Sequence, residues 1–212
     1  MEQQTNPLLD FSGLPRFGAI EPIHVTPAVD ALLRQARDVV RQVTDPKTPA
    51  AWDTIVEPLD DATDRLGRAW GAVSHLNAVV DTPELREQYN ANQPKLTAFF
   101  TELSQNEALY ARFKELAALP DFASWPAARR KVVENELRDF RLGGAELPAD
   151  RKPRFKELAE RESQVSTRCC SRPATSSGRS PTRRRPRRGT PSSSRSTTSP
   201  TASAGLGARC RT

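Results

Sequence analysis

The sequence predicts an all-α protein: an antiparallel array of about six helices followed by a disordered C-terminal tail. Three observations carry that expectation. Apolar side chains recur at steps of three and four along most of the first 167 residues, as in Leu66, Trp70, Val73, Leu76 and Val80, which places them on one helical face. A capping residue followed by proline recurs at Thr26-Pro27, Thr48-Pro49 and Thr82-Pro83, the pattern of a helix start: the hydroxyl accepts from an unpaired N–H and proline loses no needed donor. No stretch of the body alternates polar and apolar residues as a half-buried strand does.

Taken in order, residues 1–25 read as an extended arm. Leu8, Leu9, Phe11, Leu14, Phe17 and Ile20 are interrupted by Pro and Gly, too irregular for a helix and too apolar for a disordered end. Thr26-Pro27 opens the first helix, with Val29, Leu32, Leu33, Ala36, Val40 and Val43 facing inward and Asp45-Pro46 as its stop. Thr48-Pro49 opens the second, which runs through Trp52, Ile55, Val56, Leu59, Ala62 and Leu66 to a tight break at Asp81-Thr82-Pro83. Pro58 inside this run should kink or split it, since proline lacks the donor and clashes one turn back. Gly67 and Gly71, one turn apart, leave a bare strip on which another helix could lie closely.

The third helix carries Leu85, Tyr89, Asn92, Leu96, Phe99 or Phe100, and Leu103 inward, with Pro94 as a second kink. Asn106 caps a short helix with Leu109, Phe113 and Leu116 inward, stopped by Pro120. Ser124-Trp125-Pro126 restarts the chain toward a stripe of Val132, Val133, Leu137 and Phe140, closed by Gly143-Gly144, because glycine takes the left-handed conformation after a helix end without steric cost. A last helix spans Pro148 to Thr167, with Phe155, Leu158, Ala159 and Val165 inward. Residues 26–167 thus form one helical lobe.

The charge divides at the same place. Residues 168–212 hold 11 Arg and no Lys, Asp or Glu, whereas residues 1–167 hold 21 basic and 26 acidic residues, a net of −5. The tail has one large aliphatic residue, Leu206, and no aromatic, so it cannot bury enough surface to offset chain entropy. All three cysteines, Cys169, Cys170 and Cys210, lie there without zinc-knuckle spacing, and read as surplus thiols. The body needs no oxidising compartment. The polar, acidic start lacks the basic and apolar regions of a secretory signal, and no apolar run reaches the ~20 residues that span a bilayer. The expectation is a cytoplasmic protein without a membrane partner.

Several residues invite chemistry and are better read as structure. His24 and His75 stand fifty-one positions apart, neither followed by Glu-x-x-His, and read as partly buried, locally hydrogen-bonded histidines. Asp60, Asp61 and Asp64 precede Arg65 and Arg68 and read as surface charge pairs. Trp52, Trp70 and Trp125 read as core aromatics. The run Arg183-Arg184-Arg185-Pro186-Arg187-Arg188 could bind phosphates by counterion release, but no interleaved aromatic offers a base a stacking surface. Incidental nucleic-acid binding is the expectation.

The segments NPLL, FGAIEPIHVTPAVDALL, PLDDATDRLGRAWGAVSHLNAVVDTPELREQYN and VVENELRDFRLGGAELP, in that order, resemble the N-terminal part of the oligopeptidase A group of the thimet-oligopeptidase-like zinc metallopeptidases. The resemblance runs from about Asn6 to Thr167 and covers about the first quarter of a full-length member. It implies a helical lobe that forms a wall of a channel admitting short peptides. It also implies a zinc ion on a His-Glu-x-x-His helix, where two histidines one turn apart reach the metal and the glutamate activates water. No position of this chain matches that motif, so no catalytic, cofactor-binding or metal residue is carried over, and the chain is expected to be inactive by itself. The alternative is a helical protein without catalysis that binds peptides, or nucleic acid through its arginine-rich tail. After Thr167 the residues are mainly Arg, Ser, Thr, Pro, Gly and Ala, the types that a GC-rich coding sequence yields out of register, and the tail is read as out-of-frame.

Overall fold

In a computed structural model, residues 6–170 are described, with side chains described as far as residue 166. Among them are six α-helices and no strand: α1 (Pro22–Thr44), α2 (Glu57–Val79), α3 (Pro83–Ser104), α4 (Glu107–Ala117), α5 (Ala127–Leu142) and α6 (Lys152–Cys170). The all-α class expected from the sequence is the one found. The tail from residue 171, read as disordered, lies outside the described residues.

Helix α1 starts one turn earlier than Thr26-Pro27 suggests. Pro22 stands in its first turn, and the Glu21 backbone N–H donates to His24 Nδ1 at 3.0 Å in a reciprocal capping box. That box satisfies the helix end, and Pro27 is taken inside the helix. Thr26 is therefore free for tertiary work. Its hydroxyl donates to Gln88 Oε1 at 2.7 Å and accepts from Asn92 Nδ2 at 2.6 Å. Farther along, Lys95 pairs with Asp30 at 2.6 Å and Arg37 with Glu102 at 3.7 Å. Contacts that advance together on both helices mean that α1 and α3 run parallel, with α2 returning between their ends.

The arm contains two short 3-10 turns, Pro7–Leu9 and Phe17–Ala19. Asn6 Nδ2 donates to the His24 carbonyl at 2.8 Å, and Leu8 is buried in the core of α1, α2 and α3. Phe11 lies 5.8 Å from the Arg65 guanidinium and 5.7 Å from that of Arg68, which also donates to the Gly13 carbonyl at 2.8 Å.

Thr48-Pro49 does not open the second helix, because the Thr48 hydroxyl turns back to the Gln42 carbonyl at 2.7 Å. Trp52–Val56 form a π turn instead, in which the Glu57 N–H bonds the Trp52 carbonyl. The wider turn places Pro58 at the start of α2, where its missing donor costs little. The expected split at Pro58 takes this form. Buried Arg112 of α4 donates to the Thr48 carbonyl and pairs with Glu115.

Two hydrophobic cores result. Val25, Ala28, Val29, Leu32, Leu33 and Ala36 of α1 meet Leu66, Ala69 and Val73 of α2 and Leu85, Leu96 and Phe99 of α3. Val43, Ile55, Val56 and Leu59 meet Leu109, Phe113 and Leu116 of α4 and Val133 and Phe140 of α5. Local starts hold where the cap is the side chain itself: Thr82 accepts from the Leu85 N–H at 3.3 Å and Asn106 from the Leu109 N–H at 2.9 Å. Asp81, at φ 48°, makes the break before α3, and Arg86 Nε donates to its carboxylate at 2.8 Å.

Several expectations fail on packing. Val80 is exposed, as are Val132, Leu158 and Val165, because none of the described elements covers those side chains. No helix approaches Gly67 or Gly71; a Cβ at either would meet open space. Pro94 is carried inside a continuous α3. Helix α6 begins at Lys152 and runs to Cys170, rather than from Pro148 to Thr167. Of the closing glycines, Gly144 takes positive φ, 93°, while a Cβ on Gly143 would stand 2.5 Å from Ser104 Cβ.

These geometries set stability outcomes. Gly67→Ala and Gly71→Ala should each stabilise the chain by about 0.5–1 kcal/mol in urea denaturation, since open helical positions gain propensity. Gly143→Ala should cost about 1–3 kcal/mol through overpacking on Ser104. Asn92→Ala should cost about 1–3 kcal/mol by leaving Thr26 with a lost partner in a buried site. Equal midpoints for the three glycine variants would contradict the packing described.

Candidate functional site

The residues that sequence alone singles out are scattered, each held by local structure. His24 caps α1 and is half-buried. His75 is exposed, not partly buried as expected, and its ring meets the edge of Phe17 at 5.4 Å. Arg65 and Arg68 serve the arm rather than Asp60, Asp61 and Asp64, because a ring and a free carbonyl lie within their reach. Trp70 stacks on Tyr89 at 4.8 Å, and Trp52 meets Trp125 edge-on at 6.2 Å, with the Arg129 guanidinium 4.9 Å from the Trp52 ring. All three tryptophans are half-buried at the margins of the cores.

Cys169 and Cys170 fall at the end of α6 beyond the described side chains, and Cys210 and Arg183–Arg188 lie outside the described residues. Among the described residues no group of three His, Cys, Asp or Glu could hold a metal ion. The residues present do not fit a catalytic zinc.

One carboxylate is placed against its preference. Burial, then repulsion from Asp139 and Asp60, raises the Glu136 carboxyl above the usual range. Burial and the neighbouring Asp64 and Asp61 raise Asp60 likewise. This is a crowded acidic face between α2 and α5, and it brings no proton donor to a reacting centre.

The concave surface of the lobe lies elsewhere, on the two sides of α3. On one side, α1 and α3 enclose a groove of about 290 Å³ with Arg34, Arg37, Arg41, Asp30, Asp38 and Lys95 along it. On the other, α3 and α6 enclose about 440 Å³ bordered by Gln93, Pro94, Thr97, Glu160, Ser163 and Gln164. Lys95 and Ala98 border both, so the two hollows share one ridge. The Thr97 and Ser163 hydroxyls, 3.0 Å apart, join α3 to α6 below the second hollow. Charged side chains border the hollow between α1 and α3, while the one between α3 and α6 is mostly apolar at its surface. Sequence reading passed over these residues. Their one signal was the spacing Arg34, Arg37, Arg41 on the side of α1 away from its apolar stripe.

Comparison with known proteins gives a consistent result. Residues 29–152 match the family model described as Neurolysin/Thimet oligopeptidase, N-terminal domain. The chain is 41% identical over 161 residues to Oligopeptidase A of Salmonella typhimurium, covering 76% of this chain and 24% of that protein. It is 39% identical over 164 residues to Oligopeptidase A of Haemophilus influenzae, covering 77% and 24%. A Probable cytosolic oligopeptidase A of Arabidopsis thaliana is 35% identical over 162 residues, covering 76% and 23%. The chain thus spans about a quarter of the length of these relatives.

The acidic face carries a pH dependence with a definite sign. A carboxyl whose folded pKa is raised binds a proton in the folded chain that the unfolded chain has already released. Its charge therefore destabilises the fold above that pKa, and stability grows as pH falls through it, until the unfolded value is reached. Glu136→Gln should raise the thermal midpoint near pH 7 and flatten its rise as pH falls toward the ordinary carboxylate range. A variant with the wild-type midpoint and slope would show that Glu136 is not strained.

Proposed function

The chain belongs to the neurolysin and thimet oligopeptidase family through its N-terminal domain, and from that premise we propose that it is the helical lobe of a zinc peptidase acting on short peptides. The lobe forms a wall of the substrate channel and restricts what enters. The observation that carries this reading is the match over residues 29–152, which takes in most of α1 and all of α2 to α5 and so most of the first core and all of the helices of the second. Rigid helices offer a wall that fixes a channel's width, and a narrow channel admits extended chains while refusing folded ones.

The lobe contributes shape and polar surface, not the bond-breaking step. In the family as the sequence resemblance implies it, the bond-breaking chemistry would come from a zinc ion held on a His-Glu-x-x-His helix. This chain has only His24 and His75, fifty-one positions apart, and on helices they belong to different elements. No step of peptide hydrolysis is assigned to its residues.

Two further parts of the reading concern the rest of the sequence. The segment after Thr167 is an out-of-frame translation of a coding sequence that would otherwise continue the lobe. It is supported by the composition change from a mixed-charge helix to 11 Arg without one Lys, Asp or Glu. Its arginines would bind RNA incidentally, an effect lost on removing residues 168–212. The protein works in the cytoplasm. That placing is supported by the Arabidopsis relative's designation as cytosolic and by the lack, among the described residues, of a helix long and apolar enough to cross a membrane.

A quenched fluorogenic peptide incubated with the purified chain and added zinc tests the central part: no chelator-sensitive turnover is expected. Measurable turnover lost on chelation would place the chemistry in this chain and overturn the reading. Translating the same nucleotide sequence in the other two frames tests the tail. A helical continuation with a downstream His-Glu-x-x-His is expected in one of them, and its absence from both would contradict the out-of-frame account.

A further inference from the structure

We propose that the groove between α1 and α3 is a recognition site for a peptide carboxylate, centred on Arg34 and Arg37. The choice of a peptide as the carrier rests on the reading of the lobe as a channel wall; the choice of an anion rests on the charges themselves.

Positions 30, 34, 37, 38 and 41 follow one another at helical spacing along a single side of α1, and Lys95 of α3 closes the opposite side. The groove therefore presents four cations against Asp30 and Asp38, with Glu102 next to it on α3. The cations are unequally satisfied. Lys95 is paired closely with Asp30 and Arg41 with Asp38. Arg37 holds Glu102 only loosely, at 3.7 Å, and its guanidinium stands 5.6 Å from the Phe99 ring. Among the described residues no ion pair involves Arg34.

The two under-compensated guanidiniums are three residues apart, so they are neighbours on the helix surface. Each presents a planar fork that matches a carboxylate in two parallel hydrogen bonds, and a stacked guanidinium such as Arg37 is already oriented. From Asp30 to Arg41 the groove runs about 16 Å at the rise of an α-helix. An extended peptide of about five residues has that length. Between the charges the groove is floored by Leu33, which is buried, and by the small, part-buried Ala98, so a peptide is held there by its charge and backbone rather than by apolar side chains. The site would thus select short peptides carrying a negative charge.

Fluorescence anisotropy of the full chain with N-terminally labelled pentapeptides tests this. Three probes are compared: an alanine-rich peptide with a free C-terminal carboxylate, the same peptide amidated, and an amidated peptide ending in glutamate. Either carboxylate-bearing probe should bind saturably and at least about tenfold more tightly than the neutral amide. Preference between these two tells a chain terminus from an acidic side chain. Arg34→Glu should abolish the difference and Arg34→Ala should reduce it, and Arg34 is exposed enough for both variants to fold unchanged. Arg138→Glu, which removes a cation of α5 outside the groove, should leave it intact. Equal affinity for all three probes, an effect of Arg138→Glu as large as that of Arg34→Glu, or no saturable binding of either carboxylate probe would overturn the proposal. None of these results bears on whether the chain hydrolyses peptides, so this site and the channel-wall reading fail separately.

Discussion

The buried stripe of α1 is the constraint on which the rest of the structure depends. Val25, Ala28, Val29, Leu32, Leu33 and Ala36 lie in the first core and Val43 in the second, so one helix is the floor of both. Burying each of the valines and leucines contributes on the order of 1.5–3 kcal/mol, and the alanines less. Apolar contact alone would tolerate a slip of α3 by one turn, since its own stripe repeats. The hydrogen bonds of Thr26 with Gln88 and Asn92 do not tolerate it. Asn92 is wholly buried, and an amide left without partners in such a place costs more than its bonds contribute. That polar contact sets the register that the apolar stripe leaves open.

What could be read from the sequence follows from how local each signal is. Thr82 and Asn106 cap their helices as expected because a cap is decided within four residues. The inward faces of α1, α3 and α4 were legible from period alone. Thr26-Pro27 misled for a physical reason: the same pair also fits inside a helix whose first turn is already closed, here by Glu21 and His24. Leu158 and Val165 keep helical spacing yet are exposed, since period names a face and cannot say whether anything lies against it. Gly67 and Gly71 show the same limit from the other side. Small residues permit a close approach without requiring one.

The candidate site divides in the same manner. That His24 and His75 belong to different helices could be read from their spacing. The groove could not, because it is made by α1 and α3 across about sixty residues of chain. That Arg34 has no ion pair among the described residues emerges only when the partners of Lys95, Arg41 and Arg37 have been assigned. Arg65 and Arg68 teach the complementary lesson. Nearby carboxylates made an ion pair the obvious reading, but Phe11 and the Gly13 carbonyl of the arm take both guanidiniums.

A scaffold results whose rigid part and whose chemistry are separable. The helices hold the groove between α1 and α3 in place, and the frame that does so is the N-terminal domain of the neurolysin and thimet oligopeptidase family. The measurement that bears most directly on this account is the zinc content of the purified chain after dialysis against a zinc-buffered solution. The account predicts well under one retained ion per chain, held no more tightly than by exposed side chains. One stoichiometric, tightly bound ion would contradict it, because it would mean that the chain assembles a metal centre of its own.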